Sequence, residues 1–161
     1  MERIALPTPF PVGPVNCWLL RGEPVTLVDT GPDTPEALAA LELGLAGFGL
    51  RIEDVELLLL SHQHSDHLGL AATIRRRSGC TVAVHLALAG YVRDVQASLA
   101  AEEAWEDGLL LLHGTPPDRR TAFLGIAGTR RRYGGKGVAV DRVLADGDVV
   151  EAGGRRFRVA L

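Results

Sequence analysis

The stretch Ser61-His62-Gln63-His64-Ser65-Asp66-His67-Leu68-Gly69-Leu70 holds three of the chain's five histidines, with an aspartate among them. Imidazole and carboxylate are good ligands for zinc and similar divalent ions. On an extended segment His62 and His64 point the same way and can share one ion, whereas Asp66 and His67 come slightly later and can face a second ion beside it. With this composition His-x-His-x-Asp-His arises by chance on the order of a few times in ten thousand chains of this length. Metal binding therefore outweighs the alternative, a set of surface histidines on a polar loop.

Such a cluster needs a rigid mount, and the neighbouring sequence supplies one. Residues 55–60 (VELLLL) form an apolar run too short for a typical helix and suited to a strand buried on both faces. Ligands in open α/β sheets gather at the carboxyl ends of strands, which is where this order puts the histidines. Upstream, VNCWLLRG and EPVTLVDTG read as two strands joined by a tight turn near Gly22. A helix follows, started by Thr34 and Pro35 and ended at Gly49. GLAATIRRRSG reads as a helix whose arginines complement its carboxyl end before Gly79, and residues 80–85 return to strand. Residues 86–128 are helical in pattern, broken at 113–118 by Gly114, Pro116 and Pro117. TRRRYGGKG (129–137) reads as a basic, glycine-rich loop, and the remainder as strands joined by hairpin turns at ADGD and at Gly153-Gly154.

A length of 161 residues fits a single domain with one core, and 47% hydrophobic against 23% charged residues is a globular composition. The net charge of -3 argues against nucleic acid as the partner. No run reaches the roughly 18 apolar residues of a membrane span, and the first residues carry no secretion-signal pattern. Cys17 and Cys80 lack CxxC spacing and read as buried thiols in a reducing cytoplasm, with a disulfide as the alternative.

The order VNCWLL, LVDTG, helix, LLLLSHQHSDHLG and a strand ending AVH resembles the metallo-β-lactamase superfamily in its glyoxalase II-like hydrolase branch. ADGDVVEAGGRRFRV resembles the segment that precedes the second half of that fold. The resemblance implies an α/β (α+β) architecture, an αββα sandwich of mixed sheets with outer helices. It implies a metal site in which His62 and His64 hold the first ion and Asp66 and His67 the second, zinc in both positions with iron or manganese as alternatives. Asp29 resembles the residue that supports the metal loop from behind and fixes ligand orientation; a turn-capping carboxylate is its alternative reading. The implied reaction is hydrolysis of a small acyl substrate, a thioester, lactone or ester, by water that the metal has acidified to a pKa of around 7. Asp66 would orient that water and manage its proton.

The family completes its site with a third histidine in an HTPGH-like segment, a bridging aspartate and a last histidine, none of which can be matched here. His85 and His113, the only later histidines, read as a strand-end contact and a helix-end residue. Residues 1–161 are therefore expected to form one domain lacking the carboxyl-terminal part of the fold. The other way to complete the site is a homo-oligomer that shares residues between copies. Two further functions stand beside the hydrolase: a nuclease of the same superfamily, for which TRRRYGGKG offers basic residues, and a non-catalytic interaction module. Trp105, Phe123 and Tyr133 are candidates to line a substrate pocket, with buried helix packing favoured for the first two.

Overall fold

The structure is a computed structural model that describes residues 1–160. Six strands form one sheet in chain order: β1 (Glu2–Leu6), β2 (Val15–Leu20), β3 (Thr26–Val28), β4 (Leu57–Leu60), β5 (Thr81–His85) and β6 (Arg142–Leu144). β1, β2 and β3 pair antiparallel, and β3 to β6 run parallel. Parallel neighbours need long crossovers, and helices make them. Between β3 and β4 lies α1 (Pro35–Ala46); between β4 and β5 lie α2 (Ser65–Leu68) and α3 (Ala71–Ser78). Between β5 and β6 come α4 (Leu86–Arg93), α5 (Val95–Leu112) and α6 (Pro117–Tyr133).

The period-two alternation of the strands divides the core. Leu27, Leu58, Leu60, Val82 and Val84 point to the face covered by α1, α3 and α4, where they join the main cluster. Val28, Leu57, Leu59 and Ala83 point to the other face and meet Val150 and Ala152. These two come from a hairpin, β7 (Val149–Ala152) paired with β8 (Arg155–Arg158), which forms a second sheet. The run 57–60 is thus buried on both sides, as its continuous leucines require. Helices, the first sheet and the second sheet stack in the layer order of an αββα sandwich; among the described residues no helix follows β6. None of the described helices is long and apolar enough to cross a membrane.

Local chemistry explains the element ends. Thr34 Oγ1 accepts from Ala37 N at 3.1 Å with Pro35 in the first turn, so α1 starts where its cap dictates. Gly44 lets α1 settle on β1, since a Cβ there would meet Ile4 Cγ2 at 2.4 Å. Both cysteines are free and buried, which removes the disulfide alternative.

Three expectations need correction. Residues 129–133 are not loop but the last turns of α6, and only 134–137 remain irregular. Arg130, Arg131 and Arg132 favour the end of a helix dipole, and Arg130 and Arg131 pair with Glu106 and Glu103 of α5. The ADGD turn, closed by Asp148 N to Ala145 O at 3.1 Å, joins no hairpin; it carries the chain from the first sheet to the second. Trp105 and Phe123 are not packed inside but 67% and 42% exposed, because α5 and α6 bury only Val95, Leu99 and Ala127.

Candidate metal centre

The site forms where the parallel strands β3 and β4 end side by side. Asp29 extends the ladder by donating its N–H to Leu59 O at 2.9 Å, then turns with φ of 62°, a left-handed conformation that aspartate tolerates better than most residues. The turn puts its carboxylate, 6% exposed, beneath residues 61–67. Cys17, in β2, donates its thiol hydrogen to Asp29 O at 3.1 Å, and burial pushes that thiol's pKa far up, so it stays protonated. Thr30 fastens the other end of the loop: its N–H reaches His67 O at 2.8 Å, and its Oγ1 accepts from Leu70 N at 3.2 Å.

Hydrogen-bond bookkeeping assigns the tautomers. The Asp29 carboxylate accepts Ser61 N on Oδ1 at 2.8 Å, and on Oδ2 both Ser61 Oγ at 2.7 Å and His67 Nδ1 at 2.9 Å. An ionised carboxylate only accepts, so the shared hydrogen sits on His67 Nδ1, and in the neutral ring Nε2 then keeps the lone pair. Ser61 has one hydroxyl hydrogen and gives it to Asp29. The 2.8 Å contact between Ser61 Oγ and His62 Nδ1 must then draw its hydrogen from the imidazole, which leaves His62 Nε2 free as well. One buried carboxylate therefore orients two imidazoles, one directly and one through a serine. This is the outer support that metal-ligating histidines use.

The rings converge. His62 lies 4.1 Å from His67 and 4.6 Å from His64 between ring centroids, and Asp66 Oδ2 faces His67 Nε2 at 3.9 Å. That last gap is one that two metal bonds of about 2.0–2.2 Å can span. The hydrogen bond to Asp29 raises the pKa of His67 against the opposing effect of burial. Burial foremost, and then its histidine neighbours, lowers that of His62. Oxygen of Asp29 and ring nitrogens of His62 and His67 also lie within 4.8 Å of one another. The Asp29 oxygens already serve three donors in a buried position, so the carboxylate is better fitted to orient ligands than to be one.

The structure thus brings His62 near both His64 and His67, with Asp66 facing His67 and Asp29 behind, but among the described residues the donor atoms that all lie within 4.8 Å of one another are those of Asp29, His62 and His67 and not of His64 or Asp66. Ser61 was missed; only its position between strand and first histidine distinguished it in the sequence. His85 caps α4, its Nδ1 accepting from Ala87 N at 3.2 Å, and His113 is an exposed residue ending α5. Beside His64 and Asp66 opens a cavity of about 550 Å³ between Phe10, Pro11 and Val12 on one side and α4, α5 and α6 on the other. Trp105 lines it, whereas Tyr133 stands behind Phe10 in an edge-on contact at 6.0 Å.

Comparison with known proteins agrees with this geometry. The family model for the metallo-beta-lactamase superfamily matches residues 10–160. A curated protein of Bacillus subtilis (strain 168), "Probable metallo-hydrolase YqjP", is 46% identical over 67 residues, 42% of this chain and 21% of its own length. A metallo-beta-lactamase family protein from Thermus thermophilus superposes with a TM-score of 0.76 at 32% identity, covering 98% of this chain and 50% of its own. The class B3 di-zinc metallo-beta-lactamase LRA-12 from an Alaskan soil metagenome has a TM-score of 0.61 at 19% identity, over 89% of this chain and 44% of its own, a likeness of fold. The chain spans about half the length of these solved structures. With the family model matching nearly its whole length and the histidine loop seated at the strand ends, the chain belongs to the metallo-beta-lactamase superfamily.

Proposed function

We propose that this chain carries the ligand loop of a glyoxalase II-like, metal-dependent hydrolase of small acyl substrates: thioesters, lactones or esters. The observation that carries the reading is the Asp29–Ser61–His62 and Asp29–His67 hydrogen bonding, which in the neutral rings leaves both Nε2 atoms free, with Asp66 facing His67 at the edge of an open cavity. His62 and His64 would hold one zinc ion and Asp66 and His67 a second, since these donors suit zinc. When bound, the metal supplies an acidified water and polarises the scissile carbonyl oxygen. Asp66, facing the cavity, orients the attacking water and accepts its proton. Asp29 holds its charge away from solvent and keeps the imidazole hydrogens on Nδ1.

The test is a zinc titration of the 161-residue chain followed by long-range proton–nitrogen spectra of its histidine rings. Nε2 of His62, His64 and His67 should shift on zinc addition while the His85 and His113 signals hold still. A zinc-dependent acyl-thioesterase activity, abolished by chelator, is expected alongside. A chain whose three clustered histidines ignore 100 µM zinc, an amount about a hundredfold above micromolar affinity, overturns the ligand assignment.

Ser61 provides a separate check. Ser61→Ala removes the acceptor of His62 Nδ1–H, and zinc affinity should fall about tenfold, with Ser61→Thr restoring most of it. Equal affinities for Ser61→Ala and the parent would count against the relay.

A further inference from the structure

We infer that the cavity beside His64 and Asp66 is an acyl-chain site, one that takes an apolar arm and whose α5 wall disfavours phosphate. The inference rests on the hydrolase reading for the reacting end of the ligand, but its apolar part is carried by separate observations. The walls are Phe10, Pro11 and Val12 on one side and Leu99, Trp105 and Ile126 on the other. Val12, Trp105 and Ile126 are 72%, 67% and 70% exposed, so three large apolar side chains that flank one cavity still have apolar surface left to cover. A water's share of liquid volume is about 30 Å³, so 550 Å³ corresponds to about eighteen waters and has room for such a chain.

Charge selects against the competing ligand. The lining has one cation, Arg130, against the carboxylates of Asp66, Glu102 and Glu106. Arg130 is already paired with Glu106, which raises its pKa, and Tyr91 gives its hydroxyl to Glu102 at 3.3 Å. In the metal-free chain a phosphate entering beside α5 would meet a net negative wall with its arginine already paired. An uncharged chain meets no such opposition. It would lie with its reacting end at His64 and Asp66 and its tail between the 10–12 loop and the two long helices.

Tryptophan fluorescence of the 161-residue chain, titrated with the straight-chain alcohols 1-butanol, 1-hexanol and 1-octanol, tests this without metal or turnover. Trp105 should report saturable binding that tightens about threefold to fourfold per added methylene. Ile126→Glu should weaken 1-octanol at least tenfold, and Val12→Glu on the opposite wall should do the same. Leu112→Glu, 81% exposed and outside the cavity, should leave binding unchanged. All three sites are exposed, and circular dichroism establishes that each variant is folded. Affinity that does not depend on chain length, or that survives both wall variants, overturns the proposal, as does adenosine monophosphate displacing 1-octanol. If histidines ignore zinc while 1-octanol binds as stated, the metal reading fails and the apolar site stands.

Discussion

Asp29→Asn is expected to lower zinc affinity between about tenfold and a hundredfold while the protein remains folded. Asparagine keeps the shape and tolerates the left-handed φ of 62°. What changes is the count of acceptors. Ser61 N–H, Ser61 Oγ–H and His67 Nδ1–H all point at this carboxylate, and an amide offers one oxygen and one NH2 group. The relief open to the site is for His67 to move its hydrogen to Nε2 and accept from the new amide on Nδ1. That tautomer has no lone pair left where a metal would sit. Ring-nitrogen spectra of the metal-free variant should therefore show His67 as the Nε2–H form, and chemical denaturation should show a loss of about 1–3 kcal/mol from imperfect pairing. A variant with parental zinc affinity and an unchanged His67 tautomer would refute the orienting role.

Gly69→Ala is expected to cost about 3 kcal/mol or more, the upper end of overpacking effects. A Cβ at this position would lie 2.3 Å from Asp33 N and 2.7 Å from both Pro32 C and Tyr133 O. All three are backbone atoms, so no side chain can swing aside. The same crowded crossing holds the bond from Asp33 N to Tyr133 O at 2.8 Å, and a Cβ on Gly135 would meet Gly69 O. Three segments meet here: the turn after β3, the metal loop and the end of α6. Urea denaturation of Gly69→Ala beside Gly125→Ala makes the comparison clean, because Gly125 is an exposed position in α6 with open space around it. The second change should stabilise by about 1 kcal/mol through helix propensity. Parental stability for Gly69→Ala would mean that the crossing is looser than its distances state.

The candidate ligand loop was legible in the sequence because its information is local: His62, His64, Asp66 and His67 occur within a single loop, after a run of leucines whose burial on both faces needed no partner to be foreseen. Thr34 and Gly79 were likewise read from capping chemistry alone. The role of Ser61 was not legible, since it depends on the parallel pairing of β3 with β4 that brings Asp29 within 2.8 Å across 32 residues of chain. Gly69 could be read only as a glycine in the motif, its crowding coming from a helix end far along the chain at Tyr133. The misplacement of Trp105 had a different origin. Apolar content predicts burial only if some other element supplies a surface, and α5 and α6 lean mostly on each other.

The three helices between β5 and β6 leave the sheet at one strand and return at the next, so they form one continuous excursion from it. Arg120 with Asp107 and Arg130 with Glu106 tie α6 to α5, whereas Arg130 O accepting from Ser65 Oγ and Tyr133 O accepting from Asp33 N tie α6 to the histidine loop and to the turn after β3. Asp29, Ser61 and the histidines take their positions from β3 and β4 and share no strand with that excursion. Change on the outer faces of α5 and α6 can therefore alter the cavity wall, whereas change at the carboxyl end of α6 reaches the histidine loop directly. Tolerance to substitution should therefore fall along α6 towards Tyr133.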